Sequence, residues 1–350
     1  MSKNKIIKII LIIILFLILI GFGAFLYQDS QTDLVLDNFN VNLNLDSSIN
    51  QFPRRLDGVL IENEEQINPW VGAVMIDNMV DARPPAGLDK AGLVIECLAE
   101  ANISRFLAFF TLDTLIDQLG PIRSARPYFA EWAGELQSLY IHSGGSPEAL
   151  KNLKNNIYNV TDLNEFSWGP YFWRDWKRYA PHNLFTSSEK LNQFLDDQNL
   201  NDQVPNYRSW LYKRDLIKKQ RPIDEQKIKI IYKEPSYMVE WQYDLDQNDY
   251  LRYQAGQPHL TADEQELRAK NVIIQYVEME IIDYLGRKKI PTAGQGQVVI
   301  FQDGQKIEGQ WLKNNSDERT LFYNQNDEEI QFNRGITWIE VVPEGYRVEY

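Results

Sequence analysis

A single cysteine, Cys97, stands in 350 residues. Its isolation excludes an intramolecular disulfide and any zinc site built on cysteines. Histidine is nearly as scarce: His142, His182 and His259 are the three in the chain. No two of them share metal-ligand spacing, so no metal is expected. No G-x-S-x-G elbow, P-loop or H-E-x-x-H occurs, so the local signs of a serine hydrolase, a nucleotide phosphate cradle and a zinc protease are all missing. No cofactor is expected. Positive charge is short as well, with 36 Lys and Arg against 49 Asp and Glu, a net charge of -13 and a pI near 4.9. A nucleic-acid partner needs a basic surface to neutralise phosphates and is excluded on that ground. Any anion site must be local.

What the chain does have is apolar and aromatic material, 44% and 12% of its residues, which suits a packed globular protein. Residues 9–26 are uncharged and apolar, about the length that crosses a bilayer as a helix. Lys3, Lys5 and Lys8 precede this stretch and Asp29, Asp33 and Asp37 follow it. Positive flanks stay cytoplasmic, so residues 1–27 are expected to be a signal anchor: a single pass through the cell membrane, with the bulk of the chain outside the cytoplasm. A cleaved secretory signal is the competing reading, with Gly21-Phe22-Gly23 as its cleavage site. Residues 28–55 are rich in Asn, Asp, Gln and Ser and form a polar linker, with some local strand at 34–45 where VLDNFNVNLNL alternates.

Residues 56–200 alternate apolar runs at 71–76, 93–98, 106–112 and 139–141 with helices following Pro127, Ser146 and Thr186. Thr186 to Glu189 has capping-box spacing. That order predicts an α/β sheet domain. A linker at 201–227 leads to residues 228–350, where runs at 228–232, 238–243, 250–253, 272–279, 296–301, 307–312, 329–332 and 338–342 read as strands, with Asp303-Gly304 as a hairpin turn. The expected fold class is therefore α+β: an N-terminal membrane helix, an α/β sheet domain, then a small, mainly antiparallel β domain.

Polar chemistry gathers at residues 120–149, GPIRSARPYFAEWAGELQSLYIHSGGSPEA. Arg123 and Arg126 precede a helix that opens on Pro127. The run at 139–141 delivers His142, Ser143, Gly144 and Gly145 to a second helix start, capped by Ser146. Two helix N-termini, two guanidiniums and a Gly-Gly turn make an anion cradle. The alternative is that Arg123 and Arg126 pair with carboxylates such as Asp77 or Asp113. Asp77, Asn78 and Arg83 lie between elements, as does FSWGPYFWRDWKRYAPHN at 166–183, which offers Arg174, Arg178, His182 and Asn183. There Trp168, Trp173, Trp176 and Tyr179 interleave with cations, a pattern that suits sugar stacking, head groups, a membrane interface or plain packing; Arg174 with Asp175 also reads as a structural ion pair. His142 and His182 are candidates for an acid and a base, whereas His259 reads as a turn residue. Ser143 and Ser146 read as turn and cap.

GPIRSARPYF, HSGGSPEA and RYAPHNLFTS, followed by YLRYQAGQPHL, KNVIIQY, GQGQVVIFQDGQKIEGQW and GITWIEVVP, resemble the YerB-like lipoproteins of the bacterial envelope. The resemblance implies two domains, at 56–200 and 228–350, and an envelope location, in a family of unknown function. No lipid-acceptor cysteine follows the apolar run, so a protein anchor takes the place of lipidation. Residues 105–128, RFLAFFTLDTLIDQLGPIRSARPY, with YIHSGGSPE, are also similar to the LytR-CpsA-Psr ligases, which transfer polyprenyl-pyrophosphate-linked glycopolymers to peptidoglycan. That similarity implies Arg123, Arg126 and Arg105 as pyrophosphate ligands, although Pro127 stands where the ligases have an aspartate. The expected role is a membrane-anchored envelope protein that binds an anionic ligand, either a phosphorylated lipid or a glycopolymer, or else a protein partner. The alternative is a phosphotransferase or hydrolase of pyrophosphate-linked polymers.

Overall fold

Apolar runs such as residues 71–76 within Val71–Asp77 and 106–110 within Ser104–Thr111 have no polar alternate residues, so each strand needs cover on both faces. The computed structural model describes residues 51–223 and 226–350, and Gln51–Tyr350 form one compact unit. The membrane helix expected at 9–26, the strand at 34–45 and most of the polar linker lie outside the described residues. Among those described, no helix is long and apolar enough to cross a membrane.

Ten strands make one mixed sheet. In chain order they are Val71–Asp77 (β1), Leu93–Leu98 (β2), Ser104–Thr111 (β3), Leu139–His142 (β4), Thr161–Asn164 (β5), Asn271–Val277 (β6), Gly294–Gln302 (β7), Gln305–Lys313 (β8), Leu321–Asn324 (β9) and Thr337–Pro343 (β10). Their spatial order is β9-β8-β7-β6-β10-β2-β3-β1-β4-β5. β10 runs parallel to both β6 and β2, with Ile339 opposite Ile95 and Glu340 opposite Glu96, so strands from the two halves of the sequence share one ladder. A second, antiparallel sheet is built mainly from Lys227–Ile230, Val239–Asp244 and Asp249–Gln254.

The two faces of the large sheet follow strand alternation. Val74, Ile76, Val94, Phe106 and Phe110 pack with Ile228, Trp241 and Tyr250 of the second sheet. The alternate residues Ala73, Met75, Ile95, Leu107 and Phe109 pack with Phe129, Trp132 and Ala133 of the helix Pro127–Gly134 (α1).

This arrangement overturns the expected α+β class with its α/β first unit. The fold is β-rich: β2, β3 and β1 are antiparallel neighbours, and three short α-helices are described, α1, Pro147–Lys154 (α2) and Ser188–Asp197 (α3). The cause is the source of the cover. Continuous apolar strands suggested crossover helices on both faces, but one face is covered by a sheet from the other half of the chain. The connections after β1 and β2 are 3-10 turns at Val80–Ala82, Leu88–Lys90 and Glu100–Asn102 instead. The helix expected after Thr186 starts one residue later than the capping box implied. Ser187 caps α3 by accepting from Lys190 N, while Thr186 Oγ1 donates to Tyr171 O. At Asp303-Gly304 both residues have positive φ, 55° and 70°, and join β7 to β8 as a tight two-residue hairpin.

Candidate functional site

Asp77 ends β1 with its side chain 1% exposed. Its Oδ1 accepts the Met79 amide at 3.0 Å. Its Oδ2 faces His182 Nδ1 at 2.6 Å, and because a carboxylate can only accept, Nδ1 carries the proton. The same oxygen lies 3.1 Å from Arg123 Nε.

Backbone pairing places these groups. Residues 120–126 run along the end of the sheet: Asp77 N donates to Pro121 O, Arg123 N to Met75 O, and Ser143 N to Arg123 O. Arg123 is thereby fixed between the ends of β1 and β4. His182 arrives on the connection between the short strands Trp173–Arg174 and Leu184–Phe185, which pair antiparallel.

Of the arginines singled out from the sequence, Arg123 alone has terminal nitrogens without a bond to another of the described residues. Arg126 is held by both oxygens of Glu100 and by Ala125 O. Glu100 is depressed below its ordinary value in spite of burial, because of that bond to Arg126. Arg105 donates to Ser124 O at 2.9 Å and lies 3.9 Å from Glu100. Burial, and then neighbouring Arg126, push it down to about 10. Arg174 donates to Glu165 and to Asn183 Oδ1. Arg178 spends its guanidinium on Ala82 O and Pro84 O, each at 2.7 Å, and lies over the Phe185 ring.

A cavity of about 540 Å³ opens beside Arg123. Arg123, Ser124, Ser143, Gly144, Gly145 and Arg174 supply its polar lining, with Phe166 and Pro181 among the apolar residues. Gly144 needs its freedom, since φ is 62° and an added Cβ would meet the Phe166 ring at 3.0 Å. Its N–H donates to Asn164 Oδ1. Ser146 Oγ caps the first turn of α2 by accepting from Ala149 N.

Other candidates serve as struts. His142 is fully buried between Gly144 O at 2.7 Å and Asp162 Oδ1 at 2.6 Å. These two contacts take up both ring nitrogens, and neither is left for a ligand. Ser143 Oγ donates to Glu165 at 2.5 Å. Asn78 Nδ2 donates to Ser104 Oγ at 2.7 Å, while its carbonyl oxygens accept from Arg83, away from the cavity. Asn183 serves through Arg174. Among the described residues no group of His, Cys, Asp and Glu is arranged to hold a metal.

Sequence reasoning did not single out Ser124, Glu100, Asp162, Glu165 or Phe166. The last three lie in or just after β5, TDLN, a short polar strand without apolar periodicity to mark it. Its polar residues are its function, since Asp162 and Asn164 fix His142 and the Gly144 turn.

Residues 56–201 match the family described as protein of unknown function (DUF3048), N-terminal domain, and residues 228–339 match its C-terminal domain. A Bacillus subtilis protein named "Putative lipoprotein YerB" is 30% identical over 278 residues, covering 78% of this chain and 81% of that one. The chain belongs to this YerB-like DUF3048 family. A crystal structure of YerB from Bacillus subtilis superposes with a TM-score of 0.75 at 26% identity, over 85% of this chain and 100% of that one. In this YerB-like protein, Asp77, Arg123, His182 and the whole cavity lining fall in the N-terminal match. The C-terminal match supplies β6 to β9, the start of β10 and the second sheet behind them.

Proposed function

We propose that this YerB-like protein is a membrane-associated component of the bacterial envelope that binds a phosphate-bearing ligand at Arg123. One observation carries the reading: the Arg123 side chain is 20% exposed, aligned by buried Asp77, and lines the cavity with neither terminal nitrogen bonded to another described residue. Asp77 sits at Nε, so the outer edge of the guanidinium stays open for paired, charge-assisted bonds to phosphate oxygens. Arg174 adds positive field from the wall, and the Gly-Gly turn leads into the N-terminus of α2. The lipoprotein relative and the apolar stretch at 9–26 support the envelope location.

The test is calorimetric titration of the full chain with inorganic pyrophosphate. Saturable binding is expected, weakened about tenfold or more in Arg123→Gln, the loss typical of one charged hydrogen bond. No saturable binding by the wild type would overturn the reading.

A second reading, transfer or hydrolysis of the bound phosphate group, is favoured by the Asp77–His182 pair. With Nδ1 donating to a buried carboxylate, the other ring nitrogen of His182, Nε2, has no partner among the described residues. That nitrogen suits proton abstraction from a hydroxyl or water. Phosphate release lost in His182→Gln while pyrophosphate binding persists would select this reading.

A further inference from the structure

The hairpin connection at 175–182 begins and ends at the cavity, since Arg174 and Pro181 both line it. It carries Trp176, 86% exposed, and Tyr179, 92% exposed, and Phe166 on the cavity wall is 78% exposed. The loop is held rigidly from behind. Asp175 Oδ1 accepts Lys177 N and Asp175 O accepts Arg178 N; Arg178 ties the loop to Ala82 and Pro84, and His182 N donates to Tyr179 O. A frame this well bonded, presenting two large aromatic rings to water, forgoes their burial. Trp and Tyr, apolar with a polar tip, suit the head-group layer of a bilayer. The charge agrees: with Arg174 paired to Glu165, Lys177 and Arg178 still outnumber Asp175 on a chain whose net charge is -13, and cations beside a membrane surface are drawn to lipid phosphates.

We infer that this loop docks on a phospholipid bilayer, with Trp176 and Tyr179 in the head-group layer, and that the phosphate bound at Arg123 is a membrane lipid's. The second half rests on the proposed phosphate reading; the docking does not.

The test uses the full chain reconstituted in phosphatidylcholine vesicles, with an environment-sensitive dye on Trp176→Cys in a Cys97→Ala background. A control dye is placed at exposed Asn326, which follows β9 at the opposite edge of the large sheet. The dye at 176 is expected to shift to the blue and to be quenched by nitroxide lipids, with the dye at 326 unchanged. Adding phosphatidic acid should deepen the shift at 176 beyond what phosphatidylglycerol at equal charge does through the loop cations, and Arg123→Gln should abolish that excess while leaving docking on phosphatidylcholine. Equal, aqueous behaviour at 176 and 326 would overturn the docking even if pyrophosphate binds. Shielding that follows protein concentration instead of lipid would overturn it in favour of a second copy of the chain. A phosphatidic acid excess over phosphatidylglycerol that survives in Arg123→Gln would remove the lipid phosphate from Arg123 while the docking stood.

Discussion

Arg252 and Arg123 each face a buried carboxylate, yet one closes a core and the other opens a site. Arg252 is fully buried on a strand of the second sheet. It donates to Glu96 on β2 at 2.6 Å, to Gln254 and to His259, lies 4.0 Å from Glu340 on β10, and is ringed by Phe106, Trp241 and Trp338. This ionic knot joins strands of both family-matched segments and is closed off from solvent, Arg252 and both glutamates being fully buried. Arg123 has a comparable anchor in Asp77 but sits on a loop at a strand end, with its outer nitrogens facing space. A charge embedded in apolar strands is committed to architecture, whereas a charge pinned at one nitrogen beside a cavity keeps bonding capacity for a ligand.

The largest break in that comparison is Arg252→Met. It leaves the buried Glu96 carboxylate without its counter-charge, with Ser104 Oγ as its remaining close donor, and urea unfolding should show a loss of about 3–5 kcal/mol. Restoring part of that loss in the Arg252→Met/Glu96→Gln double variant would attribute it to the uncompensated charge. Next, Asp77→Asn weakens a buried hydrogen-bonded anchor. A loss of about 1–3 kcal/mol is expected, with pyrophosphate affinity falling as Arg123 loses its alignment.

The knot also sets a pH dependence. Burial, and then Glu96 beside it, push the Glu340 carboxyl well above the ordinary carboxylate range. The folded chain keeps a proton that the unfolded chain releases above about pH 4.3, so this contribution to stability is full below that point and falls as pH rises towards the folded value. His259 is pushed well below its ordinary value by burial and then Arg252. It costs stability only below about pH 6.5, where the unfolded chain takes up a proton that the folded chain does not. Glu340 thus tilts the curve downward as pH rises above about 4.3, and over that range melting temperatures of Glu340→Gln should decline less with rising pH than those of the wild type. A smaller effect on stability belongs to Arg123→Gln, up to about 1 kcal/mol in urea unfolding: Asp77 loses the guanidinium at Nε but keeps Met79 N and His182 as partners, and the outer nitrogens hold no other described residue.

Local signals made α1 and α2 readable, through Pro127, Ser146 and helical apolar spacing, and made β1 readable through its uninterrupted apolar run at 71–76. What covers such a run was not readable. One face of β1 to β3 is covered by residues some 120 positions or more away in sequence, so the same pattern served a β-rich fold as well as an α/β one. Asp77, Arg123 and His182 could each be singled out as polar residues at element edges. Their meeting depends on the 120–126 segment running beside β1, for which the sequence carries no periodic sign. Arg123 and Arg126 looked equivalent in GPIRSARP; Glu100, which claims Arg126, comes from a 3-10 turn far from that motif.

The contrast between these two arginines gives the most direct measurement: pyrophosphate-dependent change in melting temperature for the wild type, Arg123→Gln and Arg126→Gln. A dose-dependent rise is expected in the wild type and in Arg126→Gln, whose baseline stability drops by up to about 1 kcal/mol with the Glu100 pair. No rise is expected in Arg123→Gln. A rise that survives in Arg123→Gln, or one lost equally in both variants, would contradict a phosphate site built on the open face of Arg123.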